Sequence, residues 1–247
     1  MDISAYLTRI SYTGPLAPEP ETLRDLHRAH LLSVPFENLD IALGRRIACD
    51  EAAFLHKIVG LGRGGFCYEL NGAFAALLRE LGFQVTLLSA RVPREDGSEG
   101  PEFDHLALRV DFDEPWLSDV GFGDSFLEPL RLQAGIEQRQ GAQRFRITTG
   151  NGLLRLQREQ EVWRTQYAFT VTPRTLDQFA AMCHHHQTSP QSPFTRKRIC
   201  SRATPNGRIT LADDKLILTN GRNKEERLLS SEEEWHAALK TYFSVVL

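Results

Sequence analysis

Within Arg63-Gly64-Gly65-Phe66-Cys67-Tyr68-Glu69-Leu70-Asn71 a glycine pair leads directly into a cysteine, and that cysteine opens a run of apolar residues at helical spacing. A thiol so placed meets the positive end of the helix macrodipole and unpaired backbone N–H groups, which lower its pKa and can later hold an oxyanion. Gly64 and Gly65 leave the approach to the sulfur open. Cys67 is therefore a candidate nucleophile, weighed against the commonest fate of a free cysteine as a small buried hydrophobe. A thiol nucleophile needs a base, and the base needs an orienting acceptor. His105 and Asp119 are the candidates. Along Asp104–Phe112 the residues Leu106, Leu108, Val110 and Phe112 form one apolar face, so alternation turns His105, Ala107, Arg109 and Asp111 to the other, away from the apolar layer. A turn centred on Asp113 pairs Asp111 with Pro115 and His105 with Gly121. Asp119 then lies on the His105 face as a diagonal neighbour, at roughly 7–8 Å between α-carbons. That separation suits an imidazole bridging to a carboxylate.

The elements that must hold these residues follow from periodicity. Leu23, Leu26, Leu31 and Val34 recur at helical spacing from Glu21 until Pro35 ends the run, a second helix covers about Glu51 to Val59, and a third starts at Cys67. In the third, Cys67, Leu70, Phe74, Leu77, Leu78 and Leu81 share a stripe, Arg79 and Glu80 face away, and Gly82 is the C-cap candidate. After Gly82 the period changes to two: Phe83, Val85 and Leu87 alternate, then the Leu106–Phe112 set, then short runs near Arg144–Thr148, Leu153–Gln157 and Val162–Val171. This middle third predicts an antiparallel sheet or barrel. Leu176–Cys183 reads as helix, Arg208–Leu211 and Lys215–Thr219 as strands joined at Asp213-Asp214, and Glu232–Phe243 as a closing amphipathic helix. The class is α+β, with three subdomains packed together.

With 41% hydrophobic and 25% charged residues, the 247-residue chain has the composition of a folded globular protein, which sets aside disorder, collagen and coiled coil. Lys plus Arg total 29 against 32 Asp plus Glu, a net charge of -3, so there is no global basic field for nucleic acid or an anionic membrane. No run approaches the ~18 apolar residues of a membrane span, and the first residues lack a basic n-region and an apolar h-region. Cys49, Cys67, Cys183 and Cys200 are too few and too scattered for a disulfide scaffold. The expectation is a cytoplasmic protein in a reducing compartment, with no nucleic-acid or membrane partner and an oligomeric state left open.

The same residues carry a family resemblance. Arg63 to Asn71 resembles the active-site signature of the arylamine N-acetyltransferases, Phe103-Asp104-His105-Leu106 their histidine strand, and Leu117-Ser118-Asp119-Val120-Gly121-Phe122-Gly123 their aspartate segment. Val34-Pro35-Phe36-Glu37-Asn38 and the bacterial-type stretch from Ser189 to Arg196 extend the likeness over most of the chain. The resemblance implies a papain-like Cys67-His105-Asp119 triad. It divides the chain into a helical bundle (1–82) carrying the cysteine, a β-barrel (83–185) carrying the histidine and aspartate, and an α/β lid (186–247). It further implies acetyl transfer from acetyl-CoA, through an acetyl-cysteine, to an arylamine or arylhydrazine, with Arg63 and Glu37 paired to brace the catalytic loop.

Phe36, Phe66, Phe103 and Phe122 lie in or beside the matched segments and are candidates for an aromatic pocket that suits a flat amine. Coenzyme A carries phosphates, so a local basic patch is expected, and Thr195-Arg196-Lys197-Arg198 with Arg202 is the densest basic run. Arg196 and Lys197 are its candidate contacts, with Gly121 and Gly123 flanking the pantetheine arm. Two other readings compete. One is an amide synthase that closes a macrocycle with the same triad; the other is a non-enzymatic relative binding metal through Cys183-His184-His185-His186. Adjacent residues on one element rarely close a tetrahedral site, so no metal is expected.

Overall fold

The computed structural model describes residues 1–94 and 96–247. Its N-terminal helices are α1 (Ile3–Arg9), α2 (Pro20–Ser33), α3 (Leu39–Ala42), α4 (Glu51–Leu55, continued by a π-helical segment His56–Gly60) and α5 (Cys67–Glu80). Pro20 starts α2 at a position whose amide needs no partner. Helix α5 stops at Leu81, and Gly82 takes the left-handed turn that follows (φ +91°). Between α2 and α3 a two-residue strand, β1 (Phe36–Glu37), leaves the helices to join a distant sheet.

The middle of the chain builds β2 (Gln84–Arg91), β3 (His105–Asp111), β4 (Trp116–Ser118), β5 (Leu130–Arg131), β6 (Glu137–Gln140), β7 (Gln143–Gly150), β8 (Leu153–Glu159) and β9 (Trp163–Phe169). These pair antiparallel throughout in the order β5-β4-β3-β2-β9-β8-β7-β6. The two edges meet through a side chain: Gln138 accepts from Arg131 N (2.8 Å) and donates to Arg131 O (2.9 Å), so the sheet is a nearly closed barrel. A 3-10 turn (Leu176–Phe179) and α6 (Ala180–Thr188) lead to α7 (Pro193–Arg196). A five-stranded sheet then combines β1 with β10 (Ile199–Thr204), β11 (Gly207–Ala212), β12 (Lys215–Asn220) and β13 (Asn223–Leu228), before α8 (Glu232–Phe243) ends the chain. Ser231 caps α8, accepting from Glu234 N, and three glutamates in the first turn complement the helix dipole.

The expected single stripe on α5 is replaced by burial all round: every residue from Cys67 to Leu78 is buried. The helix is enclosed by α1, α4 and the sheet strands β2 and β3, so Asn71 and Glu69 are interior and must find partners. The first half of strand β3 is buried on both faces for the same reason, while Arg109 and Asp111 stay partly exposed. Leu106, Leu108 and Val110 join the core around Phe74 and Leu77, while Ala107 joins a second core inside the barrel with Leu117, Phe145, Ile147 and Tyr167. His105 thus faces away from the first apolar layer only to enter another, and it is 3% exposed rather than solvated. The β3–β4 register, Leu108 opposite Ser118 and Val110 opposite Trp116, is that of a turn centred on Asp113. A third core, Leu211, Leu216, Trp235, Leu239 and Phe243, packs α8 on the C-terminal sheet.

No described helix is long and apolar enough to cross a membrane.

Candidate active site

Cys67 is the first residue of α5, and β3 begins at His105 beside it. His105 Nε2 and Asp119 Oδ2 are 2.7 Å apart, both side chains buried. An ionised carboxylate only accepts, so Nε2 carries the proton and Nδ1 is the nitrogen left to take another. Burial works to raise the Asp119 carboxyl, but His105, the Asn71 amide and the Gly121 N–H together hold it below the usual carboxylate range. Asn71 Nδ2 donates to Asp119 Oδ1 (2.8 Å) and to Leu106 O (2.6 Å), its Oδ1 accepts from Val120 N (2.9 Å), and Gly121 N donates to Asp119 Oδ1 (2.9 Å). One helix side chain therefore ties the cysteine helix, the histidine strand and the aspartate loop together.

Two effects act on the thiol in opposite directions. Burial pushes the Cys67 thiol well up, and the backbone amides of Leu106 and Tyr68 offset that only in part. The glycine pair has a different use from the open approach expected of it. A Cβ on Gly64 would lie 2.0 Å from Pro35 O, so the residue is small because the Val34–Glu37 segment lies against it. Gly121 is constrained in the same way, since a Cβ there would meet Cys67 Cα at 2.8 Å.

The loop before α5 rests on a buried ion cluster. Arg63 donates through Nε (3.0 Å) and a terminal nitrogen (2.8 Å) to Glu37 Oε1 and reaches Asp40 (3.1 Å). Glu69 Oε2 accepts from Phe66 N (3.0 Å) and Oε1 from Lys57 Nζ (2.9 Å). Burial pushes the Glu69 carboxyl up to about 7 against the pull of Lys57. Burial also works against the Lys57 ammonium, but Glu69, Glu37 and Asp40 outweigh it and keep it charged. Removing one member leaves a buried charge uncompensated. Arg63→Ala should cost about 3 kcal/mol of stability by that mechanism, read as a lowered denaturation midpoint. Activity per folded molecule should fall far less; a folded but inert variant would show that Arg63 does more than brace.

Cys67 and His105 line one cleft of about 950 Å³, walled also by Phe36, Gly121, Phe122, Gly123 and Phe194. The Phe122 ring stands edge-on to His105 at 5.3 Å, and Tyr167 packs on His105 at 5.1 Å. Of the four sequence-predicted phenylalanines, Phe36 and Phe122 line the cleft; Phe66 and Phe103 do not. Phe66 is fully buried against Tyr68 and Phe194, because the residue before a buried helix start must itself be interior. Phe103 takes a left-handed backbone (φ +66°) that turns its ring onto Phe179 and under Arg174.

The basic run disperses instead of forming a patch. Arg196 reaches the cleft, whereas Lys197 lies outside it and gives its carbonyl to Asn38. Arg198 pairs with Glu232 and stacks on Trp235, and Arg202 donates to Leu32 O and Tyr242 O. Consecutive residues entering a strand point in opposite directions, which is why a linear run does not stay a patch. The cations that share the cleft with Arg196 are Arg94 and Arg208. The histidine tract disperses likewise. Cys183 is buried beside Gln187, and His186 Nε2 sits 3.1 Å from Asp104 Oδ1 with Ser192 on its other nitrogen. No cluster of three or more metal-ligating side chains occurs among the described residues.

Comparison with known proteins gives the chain a family. The N-acetyltransferase family model matches residues 20–247. A pineal-gland arylamine N-acetyltransferase of Gallus gallus is 36% identical over 276 aligned positions, covering 100% of this chain and 95% of its own. The arylamine N-acetyltransferase / N-hydroxyarylamine O-acetyltransferase of Salmonella typhimurium is 38% identical, covering 88% of this chain and 76% of its own. The solved Salmonella typhimurium arylamine N-acetyltransferase superposes with a TM-score of 0.93 at 34% identity, over 98% of this chain and 90% of that one. The Mycobacterium marinum enzyme in complex with CoA gives 0.92 at 30% identity, over 99% and 93%. The chain belongs to the arylamine N-acetyltransferase family.

Proposed function

We propose that this protein moves an acetyl group from acetyl-CoA to the nitrogen of an arylamine or arylhydrazine through an acetyl-cysteine at Cys67. The observation that carries the reading is the buried His105–Asp119 pair opening onto the same cleft as Cys67. His105 Nδ1 takes the thiol proton as the sulfur attacks the thioester carbonyl, and Asp119 stabilises the imidazolium so formed. The C–S bond to coenzyme A breaks, and its sulfur leaves with the proton that His105 returns. In the second half the amine attacks the acetyl-cysteine carbonyl, His105 accepts the amine proton, and that proton returns to the Cys67 sulfur as it leaves. Leu106 N–H and Tyr68 N–H lie against the sulfur and are candidate backbone donors for the oxyanion.

Residues of this chain fit a CoA thioester. Arg94, Arg196 and Arg208 share the cleft wall and supply charge for the phosphates, and Phe36 and Phe122 supply apolar surface near Cys67. An arylamine suits a base of this kind because it is unprotonated near neutral pH and keeps its lone pair, whereas an alkylammonium does not. The reading puts the reaction in a reducing compartment, since oxidation would disable the thiol. Initial rates at several fixed amine concentrations should give parallel double-reciprocal lines, and the enzyme should exchange labelled CoA into acetyl-CoA with no amine present. Intersecting lines without exchange would mean direct transfer with no covalent step.

A further inference from the structure

The loop from Asp119 to Leu127 carries Gly121, Phe122, Gly123 and Asp124 of the cleft wall. Both of its ends are held by one residue far away in sequence. His27, on α2, accepts from Asp119 N at its Nε2 (3.1 Å) and donates from Nδ1 to Leu127 O (2.9 Å). A backbone N–H only donates and a carbonyl only accepts, so these two partners fix a neutral ring with the proton on Nδ1. The ring is fully buried, stacked on Phe126 (5.6 Å) and edge-on to Phe74 (6.0 Å). Burial pushes its pKa down to about 4, which keeps the ring uncharged at neutral pH. The remaining Asp119 contacts come from Asn71, Gly121 and His105. Those three hold the Asp119 carboxylate, whereas the His27 contact holds its backbone.

We infer that His27 is a positioning residue that pins both ends of the 119–127 loop, aligning Asp119 on His105 at one end and the cleft wall at the other. This rests on the acetyl-cysteine reading above and extends it to a residue without contact to the cleft. Substitution can separate the two ends. In His27→Asn the side-chain amide overlays Nδ1 and keeps the bond to Leu127 O, but nothing is left to accept from Asp119 N. In His27→Gln the terminal oxygen overlays Nε2 and keeps the acceptor for Asp119 N, but the Leu127 bond is lost.

The test is single-turnover acetylation of Cys67 by acetyl-CoA, normalised to folded protein, together with KM and kcat for an arylamine. His27→Asn should acetylate on the order of tenfold more slowly than the natural chain, reflecting an orphaned buried donor at Asp119. His27→Gln should recover most of that rate and instead raise the amine KM. Equal acetylation rates in both variants and the natural chain, or equal losses in both, would overturn the inference. Failure of the natural chain itself to acetylate would overturn the acetyl-cysteine reading, so the two failures are distinct.

Discussion

Replacing His105 by glutamine should lower the rate of Cys67 acetylation by about 10³-fold, while the protein stays folded. The glutamine amide reaches the place of Nε2 and can still donate to Asp119, so the buried carboxylate keeps a partner. What disappears is Nδ1, the only position on the ring that can take the thiol proton when Nε2 is bonded to Asp119. General-base groups supply roughly 10²–10⁴ in rate, and the middle of that range is expected for a thiol that burial pushes up. Stopped-flow or quenched-flow acetylation with acetyl-CoA in excess measures the effect. A variant within tenfold of the natural chain would mean that another group deprotonates Cys67.

Asp119→Asn should cost about as much or more, on the order of 10⁴-fold, through the tautomer rather than through the fold. Asp119 Oδ1 accepts from Asn71 Nδ2 and Gly121 N, so the asparagine oxygen must take that side. Its amide then faces His105 Nε2 as a donor. The imidazole answers by accepting there, which moves its proton to Nδ1 and points it at the thiol. The base is blocked although every atom is close to its place. Circular dichroism and the denaturation midpoint should change little beside the rate, and a rate loss under tenfold would refute the assigned role of Asp119.

Why some of this was legible in the sequence, and some not, is a matter of where each signal lives. Alternation along Leu106–Phe112 and the position of Asp113 set the β3–β4 register, which, continued one residue past Ser118, turns Asp119 to the His105 side, where the two meet at 2.7 Å. Helix α8 was readable to the residue because one face is apolar, Ser231 caps it and glutamates fill its first turn. Strands β6 (Glu137–Gln140) and β13 (Asn223–Leu228) were silent, because they lie at sheet edges, with β13 exposed along its whole length, and carry no apolar alternation. Asn71 sits one helical turn after Cys67, so its shared face was visible, but its interior partners were not. His27, Arg94 and Arg208 gave no signal at all. Each reaches the site from a separate element, and only the packing of α2, the barrel and the C-terminal sheet brings them there. The Cys67 thiol divides the same way: the helix start is local and readable, but the burial that pushes the thiol up is tertiary.

The most direct measurement is intact-protein mass spectrometry after incubation with acetyl-CoA and no amine, followed by peptide mapping. The natural chain should gain one acetyl group on the peptide holding Cys67, and adding an arylamine should remove it with formation of the N-acetyl product. Cys67→Ala should gain none. An unmodified natural chain that still forms N-acetyl product, or an adduct that persists in Cys67→Ala, would contradict a mechanism through acetyl-Cys67. An adduct formed only from a longer acyl thioester would turn the assignment toward amide synthesis.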